Sequence, residues 1–189
     1  MSDSTLIAAL QNITTATLTT VLLKKGIRRS WMKGPKMLRE GQARIAGRAF
    51  TLRFVPMRED IATPESWTSP RSTRAAIEEM PEGAVAVADA RGFNEAGIFG
   101  DILLERMKQR GVAALVTDGA LRDGAGVAEV GLPVLCQGLA APPSIAGLTF
   151  ALANNRLVAL SGINTGVAAT LSMAASNYLA QRADGKSDA

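Results

Sequence analysis

Residues 84–135 read AVAVADARGFNEAGIFGDILLERMKQRGVAALVTDGALRDGAGVAEVGLPVL, and the rest of the chain is organised around them. Residues 84–88 (AVAVA) contain no polar side chain, as a strand buried on both faces requires, and Asp89 ends the run. From Gly97 to Arg110 the spacing is helical: Ile98, Ile102, Leu103 and Met107 share one face, Glu105, Lys108 and Arg110 another, and Gly111 stops the element. Residues 112–117 are the next apolar strand, 123–130 a short helix, and 132–135 a further strand. The order is β-α-β-α-β. Right-handed crossovers set such strands side by side and parallel, with their carboxyl ends along the sheet edge where ligands of open α/β sheets sit.

Upstream, residues 5–25 place Leu6, Ala9, Leu10, Ile13, Leu18, Val21 and Leu22 at helical spacing, which predicts two short helices ending at Gly26. Residues 27–42, with Gly34-Pro35 and Gly41, are loop-like. Residues 44–55 alternate apolar and polar side chains and predict a half-buried strand. Pro56, Pro64, Pro70 and Pro81 then mark a long connection, interrupted by a helix near 72–80.

Length and composition narrow the function. A chain of 189 residues, 47% hydrophobic and 20% charged, suits one globular domain. No apolar run approaches the roughly 18 residues a bilayer crossing needs, and the start MSDSTLIAAL has neither a basic flank nor a secretory apolar block, so the expected location is the cytoplasm. The single cysteine, Cys136, ends an apolar strand and reads as a core residue. There is no histidine, which removes the Ser-His-Asp and Cys-His routes to a nucleophile and disfavours zinc. A metal here would be a hard ion held by oxygens, magnesium or manganese. The charge of +4 and pI near 9.6 are spread along the chain. The densest basic group, Arg28, Arg29, Lys33, Lys36 and Arg39 around Trp31, reads as a solvated loop or subunit contact more readily than as an RNA surface, so nucleic acid is not an expected partner.

Three segments converge on the predicted edge: loop 89–96, the helix start with Gly97, Gly100 and Asp101, and loop 118–123. A helix start offers free amides and the positive end of its dipole, and Gly100 lets a ligand approach. Arg122 can clamp a carboxylate, while Asp101 and Asp123 supply hard oxygens. Each residue also has a plainer role: Asp123 as a helix cap, Asp101 as a first-turn carboxylate, Arg122 as the partner of either, and Asp89 and Asp118 as turn formers. On the residues alone, the pattern supports an anion and metal site. No G-x-G-x-x-G follows a strand, which disfavours a methyltransferase.

Asp101, twenty intervening residues and then Arg122-Asp123 resemble the D-x20-R-D signature of the 4-hydroxy-4-methyl-2-oxoglutarate aldolases, the family that also contains the regulator of ribonuclease activity A. The stretches ARIAGRAFTLRFVP (43–56), AGIFGDILLERMKQRGVAALVTDGALRD (96–123) and GLPVLCQGLAAPPS (131–144) are similar to that family too, so the resemblance covers roughly residues 5–150. It implies a three-layer swivelling ββα-type α/β domain with a central parallel or mixed sheet, forming a homotrimer or dimer of trimers with sites at subunit interfaces. It also implies roles. Asp123 would be the direct ligand of magnesium or manganese; Arg122 would bind the carboxylate of pyruvate and steady the enolate; Asp101 would order a water on the metal for proton transfer; and the amides of Ile102 and Leu103, beside Gly100, would hold the pyruvyl carboxylate. Members that only regulate ribonuclease E lack an acidic residue at the first signature position, and Asp101 is present here. The implied activity is therefore cleavage of a 4-hydroxy-2-oxo acid to pyruvate with oxaloacetate decarboxylation, and the alternative is a non-catalytic regulator binding ribonuclease E or its helicase partner. A lysine Schiff base is not expected, because Lys24, Lys25, Lys33, Lys36, Lys108 and Lys186 all lie in polar stretches.

After Phe150 the resemblance stops, which divides the chain into a family-like domain, 1–150, and an atypical tail, 151–189. One codon choice for residues 154–159, read two bases later, gives Gln-Pro-Ile-Gly-Cys, so truncation or a shifted reading frame would explain the tail.

Overall fold

Strict two-residue alternation along four parallel strands builds the centre of the molecule. The computed structural model describes residues 3–54, 64–140 and 150–152. In chain order these form α1 (Asp3–Gln11), α2 (Thr15–Lys24), β1 (Lys36–Met37), β2 (Ala49–Phe54), a 3-10 turn (Pro64–Thr68), α3 (Thr73–Glu79), β3 (Val85–Asp89), β4 (Gly97–Phe99), α4 (Asp101–Gln109), β5 (Ala114–Thr117), β6 (Ala120–Leu121), α5 (Gly124–Val130), β7 (Val134–Cys136), β8 (Gly138–Leu139) and β9 (Phe150–Leu152). The caps are those the sequence offers. Thr14 accepts the Thr17 amide at 3.1 Å to start α2, and Ser72 accepts the Ala75 amide at 3.2 Å to start α3. No described helix is long and apolar enough to cross a membrane.

The larger sheet runs β1-β7-β5-β3-β2-β9, with its four inner strands parallel and the two edge strands antiparallel. Phe50, Leu52, Ala86, Ala88, Leu115, Val134 and Cys136 point to one face, where Ile77 of α3 and Leu104 and Met107 of α4 cover them. Ala49, Val85, Val87, Ala114, Val116 and Leu135 point to the other, with Met32 and Met37. Because water reaches neither face, 84–88 carries no polar residue. The architecture is the mixed α/β fold implied by the resemblance: a central mixed sheet, a smaller parallel sheet and helices.

Three sequence expectations need correction. The strand expected over 44–55 is continuous only from Ala49, where its parallel pairing with β3 begins at Val85; upstream Ile45 makes only an isolated bridge. The helix expected from Gly97 begins at Asp101; Gly97–Phe99 is strand, and Ile102 is 80% exposed while Leu104 and Met107 form the buried face. The strands of the second sheet, β4-β6-β8, all parallel, were not read from the residue pattern. Strands of two or three residues carry no readable period. The segment expected to be an atypical tail, 151–189, lies outside the described residues beyond Leu152, as does the proline-rich connection over 55–63.

Candidate active site

Two strand-to-helix turns lie side by side in the small sheet. β4 runs into Gly100 and α4, and its parallel neighbour β6 runs into Arg122-Asp123 and α5. Phe99 stands opposite Leu121, and the Arg122 amide donates to the Phe99 carbonyl at 2.9 Å. Both helix starts therefore emerge at the same end of the small sheet. Phe99 is fully buried and meets Phe54 edge to face at 5.7 Å, which anchors the end of β4 in the core.

At Gly97 the two strands approach so closely that an added Cβ would lie 2.5 Å from the Arg122 amide nitrogen and 2.7 Å from the Leu121 carbonyl carbon. A Cβ on Gly100 would run into Asp123 Oδ2 and lie 2.9 Å from Arg122 Nε. Gly100 is thus small because Asp123 and Arg122 crowd it. The Asp101 carboxylate reaches the other way: Oδ1 accepts the Ile102 amide at 2.7 Å, and Oδ2 lies 2.6 Å from where a Cβ on Gly126 would stand. The two aspartates cross, each carboxylate lying against the first turn of the other's helix.

Asp123 holds a left-handed backbone, φ 56° and ψ 44°, at the residue before α5, and its side chain makes no capping bond. The Asp123 carbonyl makes only the first bond of the helix itself, accepting the Val127 amide at 2.9 Å. That disposes of the plain capping role. A left-handed non-glycine residue costs about 1 kcal/mol or more, and such strain persists where the surroundings impose it. Arg122 is partly exposed; its Nη1 donates to the Gly97 carbonyl at 3.0 Å, and Nε stands 3.4 Å from Asp123 Oδ2, a loose contact. Nη2 makes no hydrogen bond among the described residues. The Ile102 amide expected to hold a substrate carboxylate is already taken by Asp101, leaving those of Asp101 and Leu103 as the open donors of the first turn.

The site differs in place from the expected one. It lies at the carboxyl ends of β4 and β6, because the Asp118-Gly119 turn carries the chain out of the large sheet after β5. Asp118 closes loop 89–96 by accepting the Ala90 and Gly92 amides at 2.6 and 2.7 Å. Asp89 accepts the Arg91 amide at 2.8 Å and pairs with Arg53 at 2.8 Å. Asp89 is the turn former its position after a strand suggested, whereas Asp118 ties two distant loops together instead of forming a turn of its own. Burial pushes the Cys136 thiol up from its ordinary value, as suits a core residue rather than a nucleophile.

Among the described residues no three acidic, cysteine or histidine side chains gather into a cage. Asp123, half exposed, fits as a single direct carboxylate for magnesium or manganese, which keep most of their waters, and does not fit a cation that needs an all-protein shell. Sequence reading missed Gly126. Its signal was there: a seven-residue helix, GAGVAEV, spends two positions on a poor helix former.

Residues 15–180 match the model of the RraA-like family, described as Aldolase/RraA. The chain belongs to the RraA-like family. Over 63 residues this RraA-like chain is 38% identical to a protein of Halalkalibacterium halodurans named as a candidate 4-hydroxy-4-methyl-2-oxoglutarate aldolase; the match takes in 33% of the chain and 30% of that protein, so the chain spans under a third of this relative's length. Its structure is similar to that of Streptomyces coelicolor RraAS2, described as an unusual member of the RNase ES inhibitor RraA protein family, with 29% identity, a TM-score of 0.67, and coverage of 99% of this chain and 97% of that one. An uncharacterised protein of Pseudomonas syringae pv. tomato shares the fold at 19% identity and a TM-score of 0.71, covering 99% and 86%. The family thus spans proteins named for aldol chemistry and proteins named for ribonuclease inhibition.

Proposed function

We propose that this RraA-like chain is a divalent-metal-dependent pyruvate aldolase that cleaves 4-hydroxy-4-methyl-2-oxoglutarate-type acids and decarboxylates oxaloacetate in the cytoplasm. One observation supports the reading: the Arg122 and Asp123 side chains lie against Gly100, the residue before Asp101, at the adjoining ends of β4 and β6, with the Asp123 side chain making no capping bond. Asp123 would hold the magnesium or manganese ion. When bound, the cation supplies an electrophile for the 2-oxo group.

The residues then divide the work. Arg122 grips the carboxylate of the pyruvyl half through its Nη2 edge and opposes the negative charge that grows as the C3–C4 bond breaks. The 4-hydroxyl gives its proton to a water held by Asp101 as the carbonyl product forms, and the enolate takes a proton at C3 to become pyruvate. Oxaloacetate loses carbon dioxide and reaches the same enolate. The Leu103 amide lies within the same helix turn to support the carboxylate.

Pyruvate release from 4-hydroxy-4-methyl-2-oxoglutarate and decarboxylation of oxaloacetate, assayed with magnesium or manganese and again with excess chelator, test the reading. Turnover should vanish in chelator and return with metal; undiminished turnover in chelator would sink it. A regulatory reading, in which the protein binds a ribonuclease, draws on the likeness to the RraAS2 protein over nearly the whole of both chains. Binding to a ribonuclease E without metal-dependent turnover would favour it.

A further inference from the structure

We infer that Gly126 is a positioning residue that seats the carboxylate of Asp101, an inference that rests on the aldolase reading for its catalytic consequence. Glycine at a helix position costs about 0.8–1 kcal/mol relative to alanine. The backbone does not need one here, since Gly126 has no positive φ. What it provides is room. A Cβ on Gly126 would stand 2.6 Å from Asp101 Oδ2, 2.9 Å from Asp101 Cβ and 3.1 Å from Asp101 Cγ, and real Cβ atoms essentially never come within 3.0 Å of another heavy atom. Two of those three atoms are not the free end of the side chain, and Asp101 Cβ is fixed by the backbone of α4.

A methyl group at 126 therefore expels the Asp101 side chain from its place between α4 and α5 or drives the helices apart. If the side chain is expelled, the bond from the Ile102 amide to Oδ1, 2.7 Å long, goes with it; if the helices part instead, that bond stays, because Asp101 and Ile102 both belong to α4. Asp101 is pinned on one side by that amide and on the other by the bare backbone of Gly126. A proton-transfer group displaced by about 1 Å costs on the order of a hundredfold in rate.

The experiment is Gly126→Ala in the full chain, read three ways. First, kcat for pyruvate release should fall roughly ten- to a hundredfold with KM and metal affinity little changed. Second, the Ile102 amide, on a residue 80% exposed, should lose its hydrogen-exchange protection and move in the nitrogen–proton spectrum. Third, Gly126→Ala added to Asp101→Asn should cost no further turnover, because the glycine acts only through the aspartate. An unchanged Ile102 amide, or losses that multiply in the double variant, would overturn the inference. If Gly126→Ala does not fold, Asp101→Gly/Gly126→Ala, which removes the Asp101 Cβ together with the carboxylate, should restore the fold, and failure to do so also overturns it. Should the wild type release no pyruvate with metal, the aldolase reading alone falls, and the Ile102 amide still decides whether Gly126 seats Asp101.

Discussion

Arg122 and Asp123 are adjacent in sequence and touch in space, yet the proposed chemistry gives them separable tasks. Asparagine tolerates the left-handed backbone that Asp123 adopts and matches its shape, so Asp123→Asn should leave the melting temperature nearly unchanged while metal affinity and turnover collapse. Arg122→Lys keeps the charge and loses the planar fork, so metal affinity should survive while inhibition by pyruvate weakens. A charge-assisted hydrogen bond is worth about 1.5–3 kcal/mol, which sets that weakening at roughly ten- to a hundredfold. Metal titration and pyruvate inhibition on both variants side by side check the division. Equal loss of pyruvate inhibition and metal binding in Arg122→Lys would mean that the arginine only buttresses Asp123.

At the scale of elements, the site depends on how tightly β4 lies against β6, and two glycines on β4 and its turn report on different parts of that approach. Gly97→Ala would press a methyl group on the backbone of Leu121 and Arg122, which cannot yield, so it should destabilise the fold by about 1–3 kcal/mol. Gly100→Ala would press on the ends of the Asp123 and Arg122 side chains, which can swing away. That substitution should cost the fold under about 1 kcal/mol and still lower turnover tenfold or more. Denaturant unfolding and steady-state kinetics on the pair test this; matching stability losses would show that the Gly100 contact is structural. The helix–strand alternation from 84 to 135 was legible because β3 and β5 are buried on both faces and α4 is amphipathic. The small sheet was not, since its strands owe their conformation to one another and not to any local period.

For the whole molecule, Trp31, Trp67, Phe93, Ile102 and Leu139 are large apolar side chains left substantially exposed on a single chain. Burial between copies would remove them from water, and the homotrimer implied by the family resemblance is the proposed assembly. Sedimentation equilibrium should then give about three times the chain mass of 19.8 kDa, and a monomer at micromolar concentration would contradict it. The sequence by itself bounded the chemistry on offer: with no histidine, Ser-His-Asp and Cys-His nucleophiles are excluded, and the carboxylates and arginine spaced around glycines from 101 to 123 marked the candidate segment. It also marked the four inner strands of the large sheet and their covering helices by local patterning, but not the edge strands β1, inside a segment expected to be loop, and β9. Tertiary structure alone decided where the site stands and how it is held. The contacts that release the Asp123 side chain, hook Arg122 to Gly97 and seat Asp101 against Gly126 join residues about 20 to 25 apart, and no local property of either partner encodes an approach of that kind.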